Sequence, residues 1–151
     1  ATFITSYARK YIIETSQMIR DWSMKNKGYD AYCYSDTDSI HCLLTEDDLK
    51  IVSEFIDIDS YKLGAWDCEK LFQRGRYLRQ KCYIEETDGV IEATVAGMPK
   101  KLSHLITFDN FNVGFSTEAF TDEEIGPKGR KLKYVHTEGG VVLMPTEFTI
   151  K

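Results

Sequence analysis

The chain has no apolar run approaching the about 20 residues that a membrane-spanning helix needs. Its start carries no basic stretch followed by an apolar one, so nothing there reads as a secretory leader. Its four cysteines, Cys33, Cys42, Cys68 and Cys82, form no C-x-x-C pair. In strand-like, apolar surroundings they predict buried core thiols of a reduced, cytosolic protein. Cys33 and Cys42 sit symmetrically about an acidic tip, where a cross-strand disulfide is the alternative. There is no excess of positive charge: the net charge is −5, which argues against coating nucleic acid by charge alone. Internal repeats and low-complexity stretches are also missing. The first residue is Ala1, not Met, which predicts a processed or cut piece.

What is there suffices for about one domain: 151 residues, of which 42% are hydrophobic and 13% aromatic. Charge is unevenly spread. Residues 70–81, KLFQRGRYLRQK, hold Lys70, Arg74, Arg76, Arg79 and Lys81 with no acid among them. Along TSYARKYIIETSQMIRDWSMKNKG, apolar residues recur at Ala8, Tyr11, Ile12, Met18, Ile19 and Trp22, the period of a long helix capped by Thr5 and stopped at Gly28. Two short strands, about Tyr29–Ser35 and Ser39–Leu44, come next. Thr45 followed by acids predicts a capped helix over TEDDLKIVSEFI.

KLGAWDCEKLF and YLRQKCYIEE read as strands, and Thr87-Asp88-Gly89 as a hairpin turn into VIEATVAG. MPKKLSHLI predicts a short helix with Pro99 in its first turn, and TFDNFNVG another turn of helix. Gly126-Pro127-Lys128-Gly129 reads as a tip between an acidic arm (Asp122, Glu123, Glu124) and a basic arm (Arg130, Lys131, Lys133) facing each other across a strand pair. Two more short strands are expected after Gly139-Gly140, and a soft boundary near Gly97–Lys101. The fold expected is α+β: an antiparallel sheet carrying the acidic hairpin, a long helix packed on one face, and a β-rich tail.

The hairpin tip, YSDTDS at 34–39, holds Asp36 and Asp38 one residue apart. Like charges this close raise each other's pKa unless a cation neutralises them. If both residues are extended, their side chains project the same way. Paired hard oxygens suit Mg²⁺ or Mn²⁺, which fill their remaining positions with water and substrate phosphate. Two such ions about 3.5–4 Å apart can clamp a phosphoryl displacement. A bare D-x-D is more often a solvated tip. A D-x-D glycosyltransferase-like protein would need a nucleotide-binding α/β half or Gly-rich loop, and neither is present. A non-catalytic DNA-binding module is a further alternative. His41, His104 and His136 lack partners at metal-ligand spacing and read as structural.

YSDTDS resembles the palm motif of family B DNA polymerases that carries catalytic aspartates. LRQKCY resembles that family's Lys-x-Tyr motif, and ITSYAR its Thr/Arg motif. AGM, TFDNFNVGFS and GGVVLMPTEFTIK resemble the C-terminal region of protein-primed polymerases of the Bacillus podophage type, in the right order. The resemblance implies that Asp38 ligates catalytic metal and that Asp36 supports the site and turnover. Tyr34 then lies near the incoming dNTP. Lys81, Tyr83 and Arg79 hold the primer end and phosphates, and Thr5 and Arg9 contact a DNA strand. Lys100, Lys101, Lys128, Arg130, Lys131 and Lys133 could touch backbone phosphates. For Lys81 and Arg79 the bland alternative is edge-strand charge; for Thr5 it is a helix cap.

It further implies a partial palm over 1–98 and a β-rich thumb over 99–151. Primer–template DNA, dNTP, the rest of the polymerase chain and a terminal protein are the implied partners, in the cytoplasm of a bacterial host. The family's upstream D-x-x-S-L-Y-P and K-x-x-x-N-S-x-Y-G motifs and its exonuclease are absent. A C-terminal fragment with little polymerase activity of its own is therefore expected.

Overall fold

The computed structural model describes residues 2–126 and 129–151. It is α+β, in two compact units, Ala1–Leu71 and Phe72–Lys151. The strands among the described residues form three separate antiparallel sheets.

The first unit begins with α1, Thr2–Lys27. No Gly or Pro precedes Thr5 to break the helix, so Thr5 lies inside it and is not its cap. The buried face is Thr15, Ser16, Ile19 and Ser23, at helical spacing, with Ile12 and Trp22 half-buried; Ala8, Tyr11 and Met18 of the expected stripe are exposed. The short strands β1 (Tyr32–Ser35) and β2 (Ile40–Cys42) pair with a bulge between Tyr32 and Tyr34. β1 starts later than expected because Asp30 Oδ1 accepts the Tyr32 N–H at 2.9 Å, making a side-chain turn in place of a strand. Ile19, Ala31, Val52 and Ile56 form this unit's core.

Helix α2 (Glu46–Val52) has the expected Thr45 cap, closed into a capping box by Asp48. KLGAWDCEKLF is not a strand. Turns from Asp57 to Ala65 lead to a single parallel bridge, Ile58 with Trp66. Trp66 stacks on Tyr11, ring centroids 5.3 Å apart, and donates to Thr15 Oγ1 at 3.1 Å.

The second unit carries β3 (Arg74–Arg79), β4 (Cys82–Thr87) and β5 (Val90–Val95) in that spatial order. YLRQKCYIEE is thus broken at Gln80-Lys81, where Lys81 takes φ +55°. The Asp88-Gly89 turn forms as expected, both residues at positive φ. A 3₁₀ helix, Lys100–Leu105, has Pro99 as its N-cap, just outside the first turn. TFDNFNVG is a set of turns closed by the Phe111 N–H donating to Thr107 O at 3.0 Å.

The acidic arm is a one-turn helix, α3 (Asp122–Ile125), not a strand, because Thr121 and Glu124 form a second capping box. The expected tip at Pro127 and Lys128 lies outside the described residues. β6 (Lys131–Thr137) pairs instead with β7 (Gly140–Thr146). One strand therefore follows Gly139-Gly140, with an isolated Ser116–Thr149 bridge where a second was expected. Cys82, Ile84 and Val95 share one core with Leu102, Phe111, Phe148 and Ile150. None of the four cysteines is in a disulfide; Cys82 is buried, Cys33 and Cys42 are half-buried, and Cys68 is exposed in a loop rather than in a core strand.

Candidate functional site: an acidic hairpin and a tyrosine-bearing sheet

The first unit places Tyr34, Asp36, Asp38, Thr5 and Arg9. The tip is closed by the Asp36 N–H donating to Ser39 O at 3.1 Å. Both aspartates sit outside the strands, in the connection between β1 and β2, and their surroundings differ. Asp36 is half-buried and turned back on the hairpin. Its Oδ1 accepts the Thr37 N–H at 2.8 Å and the Thr37 hydroxyl at 3.2 Å, and its Oδ2 faces the Tyr34 hydroxyl at 3.4 Å. Asp38 is exposed. Tyr34 is itself steadied by an edge contact with His41, centroids 5.3 Å apart.

Thr5 and Arg9 are exposed residues of α1. Thr5, Arg9, Ser16, Arg20 and Ser23 recur at spacings of about four and seven residues, one face of the helix. The hairpin uses that face. The Ala31 N–H donates to Ser23 Oγ at 3.0 Å, and the Arg20 guanidinium lies 5.1 Å from the Tyr32 ring centroid.

The second unit carries Arg79, Lys81 and Tyr83. Lys81 is exposed on the β3–β4 turn, not within an edge strand, and its carbonyl accepts the Ala96 N–H at 2.7 Å. Arg79 is exposed at the end of β3, and Tyr83 is half-buried opposite Tyr77. The rest of the basic stripe has structural work. Arg76 Nη1 donates to Phe108 O at 2.6 Å and Phe111 O at 3.1 Å, tying the 108–112 turn to the sheet. Arg74 pairs with Glu86 and lies over the Phe108 ring. Sequence reading missed this division of labour; the signal available was the glycine inside RGRY, which marks a close approach in a strand.

Of the expected phosphate contacts, Lys100, Lys101, Lys131 and Lys133 are exposed, and Lys128 lies outside the described residues. Arg130 is engaged by Asp122 and Glu147. His104 bridges Lys101 O at 2.7 Å and Glu124 O at 2.9 Å, a structural role.

Among the described residues no group of three or more His, Cys, Asp or Glu is placed to hold a metal ion. The tip carries two carboxylates, the hard oxygen donors a divalent cation takes, with the Asp36 oxygens facing Thr37 and Tyr34. Mg²⁺ accepts one or two carboxylates and completes its octahedron with water and phosphate oxygens. None of the described helices is long and apolar enough to cross a membrane.

No protein-family model matches the chain. Against the DNA polymerase of Bacillus phage B103 it is 39% identical, over 99% of this chain and 25% of that protein. The solved structure of phi29 DNA polymerase complexed with primer-template DNA matches with TM-score 0.70 and 37% identity, covering 99% of this chain and 25% of that one. The same polymerase with primer-template DNA and incoming nucleotide substrates matches with TM-score 0.69 and 36% identity. Over 99% of its length the chain is similar to phi29-type phage DNA polymerases, and it spans about a quarter of their length.

Proposed function

We propose that the chain is the C-terminal part of a DNA polymerase, the second half of a palm (1–98) and a thumb (99–151). In the intact enzyme it would work with the rest of the polymerase chain on primer–template DNA and dNTP. The observation that carries this reading is the unequal pair at the tip: Asp36 held by Thr37 and facing Tyr34, Asp38 exposed. The likeness over the whole chain supports it.

The roles rest on the likeness to phage polymerases and on the exposure of these residues. Asp38 supplies a ligand oxygen and Asp36, braced by Thr37, fixes the tip and adds a second. Mg²⁺ or Mn²⁺ bound there supplies Lewis-acid stabilisation of the charge that develops on the reacting phosphate oxygens. Arg9 and Thr5, exposed on α1, offer a cation and a hydroxyl to a DNA strand. Arg79 and Lys81 hold phosphates without reading sequence, as copying any template requires. Tyr83 presents a flat face and a hydroxyl to the primer end, and Tyr34 lies beside the incoming nucleotide. The reaction is attack of the primer 3′-oxygen on the dNTP α-phosphorus, with pyrophosphate leaving.

The two carboxylates need a third companion from polypeptide outside this chain. Exposed Phe3, Ile4 and Tyr7 on the first turns of α1 support further polymerase polypeptide packing there. Priming from a terminal protein is part of the same proposal. Primer extension tests it. The isolated chain should give little or no synthesis, and the full-length polymerase that carries it should lose synthesis to background on Asp38→Ala. Robust template-dependent synthesis by the isolated chain, or an active Asp38→Ala enzyme, contradicts it.

A further inference from the structure

Glu85 is 1% exposed, yet it is not on the core face of its sheet. In β4, Cys82 and Ile84 point into the core, so Tyr83 and Glu85 point the other way. The register sets Tyr77 opposite Tyr83 and Gly75 opposite Glu85. A Cβ at Gly75 would lie 3.0 Å from Tyr77 Cε2, 3.1 Å from its hydroxyl and 3.3 Å from Phe72. The bare glycine is thus the floor of a slot in which the Tyr77 phenol lies flat on the sheet. From there its hydroxyl donates to Glu85 Oε1 at 2.5 Å, and its ring meets that of Tyr83 with centroids 5.5 Å apart, tilted 30°.

A buried carboxyl group is costly unless it is hydrogen-bonded, and the Tyr77 phenol supplies that bond. Such a bond fixes both rotatable angles of Tyr77. An aromatic neighbour so fixed restricts the ring packed on it. We propose that Gly75, Tyr77 and Glu85 are positioning residues that hold the Tyr83 ring in one orientation for the primer end. This rests on the role given above to Tyr83.

The test uses the chain with ¹³C-labelled tyrosine rings, the Tyr83 signals being assigned by their loss in Tyr83→Phe. Without DNA, Tyr77→Phe keeps the ring and removes the hydroxyl, and should shift and broaden the Tyr83 ring signals. Glu85→Gln, which keeps an acceptor oxygen, should leave them nearer their original place than Glu85→Leu. Tyr83 signals unmoved by Tyr77→Phe, or moved equally by Gln and Leu at 85, overturn the positioning role. Primer–template with a recessed 3′ end is then added. Tyr83 shifting in the original chain, with binding several-fold weaker in Tyr77→Phe, supports the pair acting through Tyr83. A Tyr83 signal indifferent to DNA removes its primer-end role, whereas the DNA-free spectra still decide the packing claim.

Discussion

Lys81 occupies a backbone conformation that side chains avoid, at a cost of about 1–2 kcal/mol. A two-residue turn usually gives such a position to glycine or asparagine. A lysine kept there despite the strain suggests that its ammonium is worth more than the turn's comfort. Lys81→Gly should therefore leave the thermal midpoint unchanged or higher, while primer–template binding weakens and the log–log salt slope falls by about one. A variant that binds as before, or that unfolds, contradicts this role. The same turn shows where sequence reading stops. Asp36 and Asp38 were legible because two acids one residue apart at a hairpin tip demand an explanation. The turn at Lys81 was not, because Gln80-Lys81 carries no glycine, asparagine or proline. Nor could spacing reveal that Asp36 is braced while Asp38 is open, since that depends on how Thr37 and Tyr34 fold around the tip.

The elements are fixed at their ends as much as by their packed faces. α2 begins in a capping box whose Asp48 also meets Lys27 Nζ at 2.5 Å, pinning the helix to the end of α1. Burial pushes the Asp48 carboxyl up, but hydrogen bonds from Lys27 and Thr45 outweigh it and hold the group below the ordinary carboxylate range. The Asp30 carboxyl is lowered too, by Arg20 first and then by the Tyr32 N–H. A depressed carboxyl stabilises the fold above its unfolded pKa, about 4, and that stability is lost as pH falls through the folded value. The midpoint followed by circular dichroism should drop between about pH 5 and 2, and Asp48→Asn should lower it at pH 7 and flatten that drop. An acid profile that Asp48→Asn leaves unchanged would contradict the anchoring role.

Gly129 is a second junction. A Cβ there would run onto the Ile125 carbonyl oxygen and lie 2.8 Å from Ile125 Cγ2 and 2.9 Å from Leu102 Cδ2. Gly129→Ala should cost about 3 kcal/mol or more, read as a fall in the urea midpoint; an unchanged midpoint contradicts it. At this scale helices and the Asp-Gly hairpin were legible from caps, period and turn chemistry. The stretch 62–72 was misread because alternation marks a strand only when a partner is present, and here one bridge is all it finds.

At the scale of the molecule, two units divide the proposed site residues: Asp36, Asp38, Tyr34, Thr5 and Arg9 on one, Arg79, Lys81 and Tyr83 on the other. The order of motifs made the kinship with phage polymerases legible, and the comparisons bear it out over 99% of the chain. The division at Leu71 was not legible, because 62–72 carries no linker composition. The single core joining Cys82 and Ile84 to Phe148 and Ile150 depends on contacts far apart in sequence, which no local pattern encodes. The central claim is that the hairpin tip receives a divalent ion, and Mn²⁺ tests it on the chain itself. Added to isotopically labelled chain with primer–template and dNTP, Mn²⁺ should broaden amide signals first at Asp36, Thr37, Asp38 and Ser39, and Asp38→Asn should abolish that broadening. Broadening centred elsewhere, or a tip untouched by Mn²⁺, would contradict the account.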